Sequence, residues 1–235
     1  MRKCFFAGLS ALYLFIAACS TTPAPIRHGG PPPPTLKPPL AISSTASVMA
    51  EQGPFQPDVD LYLCPNSTIT NAFETDERYR VLNFHPVVLV DGKVVLTPVP
   101  TNNACMTSGF GHRMGRTHKG LDFRSQPPGM VYSAAPGSIR EARYSSSYGN
   151  TVLIDHGQGI YTRYAHLNNI EPGVVAGLPI GFGQPLGIMG TTGNSTGIHL
   201  HFEVLTGTYS AVGSSSNLTS RNPLSFPPYM GQGGS

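Results

Sequence analysis

The sequence predicts a mainly β protein, and three observations favour that fold class. Glycine and proline are abundant, at 27 and 23 residues, while only 11% of the 235 residues are charged. No segment carries a long apolar repeat with the 3.6-residue period of a helix. Short β-branched and aromatic runs alternate instead with glycine-rich turns, which is typical of a loop-rich sheet protein.

Residues 1–18 are predicted to be a secretory signal peptide. Arg2 and Lys3 form its basic start, and an apolar run of about 14 residues follows, shorter than the ~20 that span a bilayer as a helix. The run ends in Ile-Ala-Ala-Cys, which resembles the lipobox of bacterial lipoproteins and makes Cys19 the expected lipidation site. An ordinary cleaved signal that happens to contain a cysteine is the alternative.

Residues 19–57 are predicted to be a lipidated, proline-rich linker. Four consecutive prolines begin at Pro31, and little in the segment suits a core. It would reach about 110–120 Å as polyproline II and nearer 35 Å as a coil. Ser20 follows the cysteine where an inner-membrane lipoprotein would carry Asp. We therefore expect the protein to lie at the periplasmic side of the outer membrane. The linker would be either a tether of tuned length or a disordered spacer of no set length.

The charge balance excludes one class of partner. The formal net charge is +3, and loss of Arg2 and Lys3 with the leader lowers it to about +1. So small a charge, without a basic patch, argues against nucleic-acid binding. Contact with a membrane is expected through the N-terminal lipid only.

The cysteines predict a disulfide. Cys4 leaves with the signal peptide and Cys19 carries lipid, so Cys64 and Cys105 remain as a pair in an exported protein. Closing a loop of about 40 residues would stabilise the fold by roughly 4 kcal/mol on the chain-entropy model. Two free thiols are the alternative. A metal site is not expected, because neither cysteine lies in a ligand-spaced pair.

Residues 58–105 are predicted to be a β-rich extension that packs on the domain after it. Residues 86–96 predict a hairpin on a two-residue Asp91-Gly92 turn. Residues 70–79 could hold one short helix. The segment is too small for an independent domain, so we expect the disulfide to attach it to the rest.

The main domain is predicted to span 106–229, with a frayed tail at 230–235. Residues 207–221 are rich in Ser, Thr and Gly and are expected to form an exposed loop, followed by a closing edge at 222–224. The predicted strands are Thr151 to Ile154, Gly159 to His166 and Ile198 to Leu205.

Two histidine motifs carry the chemistry. His118 and Asp122 lie four residues apart, and His199 and His201 two apart, which puts the second pair on one face of a strand. A third histidine, His166, lies between the motifs. Two imidazoles and a carboxylate form a ligand set that zinc takes in hydrolytic enzymes, with a fourth position left to water. Burying these groups unpaired would cost several kcal/mol, so the cluster predicts a metal.

The motifs together resemble the lysostaphin-type (LytM-domain) zinc metallopeptidases, which cut peptide bonds in bacterial peptidoglycan. The resemblance covers roughly 106–207 and implies a compact antiparallel sheet with one Zn²⁺ in a groove walled by loops. The loop at 114–117 is shorter than in many members, which bears on substrate choice. The motifs occur in family order: Ser108 to Arg113, His118 to Asp122, Tyr164 to Leu167 and Gly193 to Glu203.

The resemblance implies a role for each histidine in the two motifs. His118, Asp122 and His201 match the zinc ligands of the family, and His166 and His199 match its catalytic histidines. No glutamate of the HExxH kind is present, so a histidine must take the proton from water. Which of the two is the base, and which stabilises the oxyanion, stays open.

The remaining candidate residues are interpreted as structural, except that Glu203 and Tyr164 each have a functional alternative. Glu203 either orients a ligand or has a structural role, in a salt bridge or at a strand edge. His112 and His156 are expected in turns, and His85 at the surface or in packing. Tyr164 is a core residue or, less favoured, a groove residue.

The expected function is zinc-dependent hydrolysis of peptidoglycan peptides. An exported lipoprotein favours D-alanyl–diaminopimelate cross-links over glycine bridges, with cleavage between L-Ala and D-Glu next. The alternative is a non-catalytic LytM-domain regulator that activates cell-wall amidases; a structural zinc lipoprotein is disfavoured, because structural sites take four ligands. The extension could also keep the enzyme latent, either by covering the groove or by donating a fourth ligand from Asn102, Asn103 or His85.

Overall fold

A computed structural model describes most of the chain after the predicted linker. The predicted signal peptide, the lipidation site Cys19 and most of the linker lie outside the described residues, as do the last four residues. Among the described residues, none forms a helix that could span a membrane. The described residues are 53–65, 71, 73–113 and 115–231.

The described chain is built almost entirely from β-strands, which confirms the predicted fold class. Its only helical element is a 3-10 helix at Ser214–Asn217. The strands are β1 Tyr62–Leu63, β2 Val88–Val90, β3 Val94–Leu96, β4 Cys105–Ser108, β5 Gly111–Arg113, β6 Arg116–His118, β7 Leu121–Arg124, β8 Met130–Tyr132, β9 Gly137–Ser145, β10 Gly149–Asp155, β11 Ile160–Leu167, β12 Pro179–Ile180, β13 Pro185–Ile188, β14 Leu200–Thr206 and β15 Thr219–Arg221.

Nine strands form one sheet in the order β1-β4-β7-β14-β11-β10-β9-β12, with β15 also paired to β14. The strands from β4 onward pair antiparallel in this sheet, as expected for the main domain, whereas β1 of the extension runs parallel to β4. Parallel pairing is possible there because a long connection separates the two strands. A disulfide between Cys64 and Cys105 joins the ends of this pair.

The core lies against the centre of this sheet. β11 is buried along its whole length, since packed elements cover both faces. Tyr164, Phe123 and Phe202 are fully buried there, and each contributes on the order of 1.5–3 kcal/mol through burial. Tyr164 is therefore a core residue and not a groove residue: its hydroxyl accepts a 2.8 Å hydrogen bond from the backbone N–H of Ala134.

The extension contains the predicted hairpin but not the predicted helix. β2 and β3 pair as expected, through a three-residue loop rather than a two-residue turn, because Val90 pairs with Val94. No helix occurs in the described part of 70–79. Asp76 closes a tight turn there by accepting hydrogen bonds from the backbone N–H groups of Arg78 and Arg80, which is a known competitor of helix formation.

Two predicted boundaries differ from the structure. The linker was expected to reach residue 57, but Phe55 already stacks on Tyr132, with ring centroids 4.9 Å apart. Burial of an aromatic ring accounts for this earlier attachment. The loop expected at 207–221 ends in β15, whose Ser220 pairs with Leu205 of β14, so the closing edge precedes 222–224.

Candidate metal centre and groove

The pairing of β7 with β14 brings the two sequence motifs together. Asp122 lies directly opposite His201 in this antiparallel pair, where neighbouring side chains on one face lie about 5 Å apart. Gly120 makes the close approach possible, because a Cβ at this position would lie 2.2 Å from the carbonyl oxygen of Phe202. His118 ends the preceding strand β6 and reaches the same point.

Three donor atoms meet at this point: Nε2 of His118, Oδ1 of Asp122 and Nδ1 of His201. The His118–Asp122 distance is 3.1 Å, the His118–His201 distance 3.0 Å and the Asp122–His201 distance 2.9 Å. All three side chains are buried, and the set could hold a metal ion. The predicted ligands are thus brought together.

The donor set suits zinc. Zinc–ligand distances of about 2.0–2.1 Å in a tetrahedron put neighbouring donors about 3.3 Å apart, close to the triangle seen here. Two imidazole nitrogens and one carboxylate match its preference, whereas Ca²⁺ and Mg²⁺ favour oxygen donors. Three protein donors leave a further position open, as in catalytic rather than structural zinc sites.

A buried carboxylate holds the outer nitrogen of His201. Nε2 of His201 lies 3.0 Å from Oε1 of Glu203, and Oε2 of Glu203 accepts a 2.6 Å hydrogen bond from Arg163. The Tyr148 hydroxyl donates to the same carboxylate at 3.1 Å. Glu203 therefore forms a buried salt bridge with Arg163 and also contacts the candidate ligand His201.

These contacts shift the protonation equilibria of the cluster. Burial alone would lower the pKa of His201, but its hydrogen bonds with Asp122 and Glu203 raise that pKa to about 9. Burial would raise the pKa of Asp122, yet bonds with His118 and His201 lower it well below its usual value. Burial would likewise raise the pKa of Glu203, but its hydrogen bond with His201 lowers that pKa. Both carboxylates are therefore ionised at neutral pH and can act as ligand and orienting group.

A backbone carbonyl holds the outer nitrogen of His118. Nδ1–H of His118 donates to the carbonyl of Gly109 at 2.6 Å, which leaves Nε2 as the donor atom toward the cluster. Gly109 follows β4, in a loop that also contacts Asn71 of the extension. Arg113 Nη1 approaches Oδ2 of Asp122 at 3.5 Å and donates to the hydroxyl of Ser108 at 2.5 Å.

The two predicted catalytic histidines face the same groove. Nδ1–H of His166 donates to the carbonyl of Thr192 at 2.8 Å, and Nδ1–H of His199 donates to the carbonyl of Gly197 at 2.9 Å. Their ring centroids lie 4.9 Å apart, and His199 Nε2 is 3.7 Å from Oδ1 of Asp122. Both Nε2 lone pairs are left available as proton acceptors.

Burial keeps both imidazoles neutral. Desolvation, followed by repulsion from His199, lowers the pKa of His166 to about 4, and desolvation likewise lowers the pKa of His199. His166 also has a positive φ of 61°, a backbone conformation that non-glycine residues adopt at a cost of order 1 kcal/mol. Its N–H donates to the carbonyl of Tyr148 at 2.7 Å, which helps to hold this conformation.

The groove around these residues has a volume of about 810 Å³. Its lining includes three exposed basic residues, Arg116, Lys119 and Arg124. None of the three pairs with a carboxylate among the described residues. The residues proposed from sequence as a fourth ligand, Asn102, Asn103 and His85, do not line this groove, so that expectation is wrong.

Sequence reasoning missed Asn71, Tyr148 and Arg163. Arg163 lies directly opposite Glu203 in the β11–β14 register, and this pairing was not readable from either segment alone. His156, expected to be structural, donates from Nδ1 to the carbonyl of Pro136 at 2.7 Å and lies 2.7 Å from the Thr162 hydroxyl. These bonds are away from the groove.

The β-sheet, the three-donor cluster and the neighbouring histidines define a metallopeptidase class of site. Residues 116–213 match Peptidase family M23. This segment therefore matches a peptidase family M23 domain of the LytM type, as the sequence resemblance implied. The match lies within the expected 106–229 and begins after β4 and β5.

Curated relatives share this segment. The chain is 38% identical over 106 residues to the DD-carboxypeptidase/endopeptidase Mpg of Neisseria meningitidis, covering 42% of this chain and 24% of the relative. It is 37% identical over 115 residues to the peptidoglycan DD-endopeptidase ShyB of Vibrio cholerae, covering 46% and 26%. The chain thus spans about a quarter of the length of these relatives.

The chain is also similar to a solved structure. The catalytic domain of lysostaphin from Staphylococcus simulans is 30% identical, with 52% of this chain and 91% of that chain covered, at a TM-score of 0.45.

Proposed function

We propose that this chain is a zinc-dependent endopeptidase that hydrolyses peptide bonds in peptidoglycan. The observation that carries the proposal is the convergence of a three-donor metal site and two neutral imidazoles in one groove. His118, Asp122 and His201 would hold a zinc ion, and a bound zinc ion would supply the Lewis acidity that activates a carbonyl and a water molecule near neutral pH. The names of the relatives, peptidoglycan DD-endopeptidase among them, support the substrate class.

His166 and His199 carry the proton transfers in this proposal. Each ring donates its Nδ1–H to a backbone carbonyl, so only Nε2 is free, and a neutral Nε2 can accept a proton but cannot donate one. One histidine takes a proton from the attacking water and returns it to the leaving amine as the C–N bond breaks. The second histidine, neutral before the reaction, can support the developing oxyanion once it has taken a proton from solvent, because a negative charge that forms beside an imidazole raises its pKa.

The basic residues of the groove favour a substrate with free carboxylates. Arg116, Lys119 and Arg124 line the groove and are exposed, so they attract anionic peptides through electrostatic complementarity. In a D-alanyl–diaminopimelate cross-link, a free carboxylate of diaminopimelate lies next to the scissile bond. A glycine bridge offers no such group. We therefore favour the diaminopimelate cross-link as the bond that is cut.

Charge removal tests this substrate preference. Arg116→Gln combined with Lys119→Gln should raise KM for a purified diaminopimelate-type dimer about tenfold, with a smaller change in kcat, because exposed charges act mainly on binding. Lys93→Gln is the matched control, since this exposed lysine does not line the groove. An unchanged KM in the double variant would remove the support for an acidic substrate.

The decisive experiment is mass spectrometry of fragments released from cross-linked peptidoglycan by the full chain. It is performed with zinc, with a chelator, and with His166→Ala and His199→Ala in separate reactions. Chelator-sensitive release of new peptide ends, lost in both variants, is expected and identifies the bond. A folded, zinc-loaded chain that releases nothing but stimulates a cell-wall amidase would instead establish the regulatory alternative.

We propose that the enzyme acts from the periplasmic side of the outer membrane, where Cys19 carries lipid. The basic and apolar leader at 1–18 and the lipobox-like sequence before Cys19 support this location. Mass spectrometry of the membrane-fraction protein should detect an acylated N-terminal cysteine. Cys19→Ser should abolish acylation and release the protein from the membrane fraction; persistence of the variant in that fraction would contradict the proposal.

A further inference from the structure

Asn71 of the extension makes an unusually complete contact with one residue of the main domain. Its Nδ2 donates to the carbonyl of Gly109, and its Oδ1 accepts from the N–H of Gly109 at 3.2 Å. The same Oδ1 accepts from the Ser108 hydroxyl at 3.4 Å. One side-chain amide thus binds both polar backbone groups of Gly109, in the way that a neighbouring strand would.

This contact continues directly to a candidate metal ligand. The Gly109 carbonyl that accepts from Asn71 also accepts Nδ1–H of His118 at 2.6 Å. Partners of this kind fix the tautomer and ring orientation of a ligating histidine. Moving the Gly109 carbonyl therefore moves the imidazole whose Nε2 lies in the donor triangle.

The sequence at Gly109 suits this close approach. A Cβ at residue 109 would lie 2.1 Å from the backbone oxygen of Asn71 and 3.5 Å from the ring of Phe73. A side chain of any size at 109 would push the extension away. The β1–β4 pairing and the Cys64–Cys105 disulfide hold the preceding part of the extension to the same edge of the sheet.

We propose that Asn71 is a positioning residue for His118, so that the metal affinity of the centre depends on the extension. The inference rests on the proposed binding of zinc by His118, Asp122 and His201. Asn71 acts through Gly109 and does not itself contact the donor triangle. The extension is then part of the metal site, although Asn71 lies outside the 116–213 segment that matches the peptidase family.

Zinc affinity tests the proposal without any assay of activity. The dissociation constant of the full chain is measured by competition with a chromophoric chelator. Asn71→Ala should weaken zinc binding about tenfold, the lower range for lost outer partners of a metal ligand. Asn102→Ala is the matched control, since Asn102 also bridges backbone groups, at Gln56 and Pro54, but away from the groove.

A second readout follows the hydrogen bond itself. In ¹⁵N-labelled zinc-loaded protein, the Nδ1–H proton of His118 should exchange with water faster in Asn71→Ala than in the wild type or Asn102→Ala. If Asn71→Ala does not fold, Asn71→Asp keeps the acceptor and the size but loses the donor to the Gly109 carbonyl. It should weaken zinc binding as well.

The outcomes separate two kinds of failure. A wild-type chain that does not bind zinc overturns the proposed function, and the inference with it. A wild type that binds zinc, with Asn71 variants within twofold of it or no weaker than Asn102→Ala, overturns the positioning role alone. Weaker binding with faster Nδ1–H exchange, confined to the Asn71 variants, supports it.

Discussion

The two histidines of the donor triangle are held in different ways. His201 lies on a central strand, and its outer nitrogen contacts Glu203, which is fully buried and paired with Arg163. His118 ends a short strand of a two-stranded sheet, and its outer nitrogen binds a loop carbonyl. One ligand depends on buried charge within the main sheet, whereas the other depends on backbone geometry that Asn71 supports from outside.

This difference shows how one site combines two kinds of rigidity. A buried, fully paired carboxylate is costly to disturb, because breaking the pair leaves an uncompensated charge. A backbone hydrogen bond is cheaper to disturb and contributes only about 0.5–1.5 kcal/mol net. Substitutions on the His201 side should therefore affect stability and metal binding together, and those on the His118 side mainly metal binding.

The largest effect is expected from removing a ligand, which does not distinguish the two sides. His201→Ala and His118→Ala should each lower activity by on the order of 10³-fold or more, because the metal supplies the main electrophile. Hydrolysis of cross-linked peptides and bound zinc per chain are measured. His112→Ala, an exposed histidine in β5, is the control and should retain both. Substantial activity without either ligand would exclude the assigned site.

Glu203→Gln sharpens the comparison on the charged side. The substitution leaves Arg163, only 4% exposed, without its counter-charge, and we expect a loss of about 3–5 kcal/mol in the free energy of unfolding. Zinc affinity should fall about 10–100-fold through loss of the orienting carboxylate. Denaturant unfolding and chelator competition measure the two quantities.

The matched control for this prediction is Glu141→Gln. Glu141 is also buried and accepts a 2.6 Å hydrogen bond from Arg143, but it lies outside the groove lining. Its substitution should lower stability less, since Arg143 is partly exposed, and should leave zinc affinity unchanged. Equal effects of the two substitutions on zinc affinity would contradict a specific role of Glu203 in orienting His201.

Removal of the disulfide loosens the attachment of the extension without removing a contact of His118. Cys64→Ser combined with Cys105→Ser opens a loop with a sequence separation of 41, and we expect a stability loss of up to about 4 kcal/mol on the chain-entropy model. Zinc affinity should decrease only modestly, because Asn71 can still reach Gly109. Thermal unfolding and zinc competition are measured on oxidised wild type and variant. A wild-type melting temperature in the variant would contradict this expectation.

The smallest expected effect concerns His156, a histidine that lies away from the groove. Burial lowers the pKa of His156 below its usual 6.5, so the folded state favours the neutral ring. Its contribution to stability is complete above the unfolded-state pKa and is lost as pH falls below about 6.5. Between pH 7.5 and 5.5, His156→Asn should lose less stability than the wild type. Identical pH slopes in denaturant unfolding would rule out this role.

The sequence allowed prediction of features with short, regular spacing. Period-two alternation placed His199 and His201 together, the resemblance assigned the ligands, and β10, β11 and β14 lie close to the predicted strands. Features that depend on how strands and loops align in three dimensions could not be predicted from the sequence. The Arg163–Glu203 pair follows from strand alignment, and the Asn71–Gly109 contact joins residues 38 apart through tertiary packing. The helix expected at 70–79 failed because Asp76 binds local backbone N–H groups.

The position of β4 has a consequence for solubility. β4 lies between β1 and β7 and supplies the hydrogen-bonding partner for one side of β7. A fragment cut at residue 116 would leave that side of β7 as an open edge, with buried Leu121 and Phe123 beside it. Open, apolar strand edges recruit strands from other molecules. The residues before the family-matched segment thus also protect the protein from self-association.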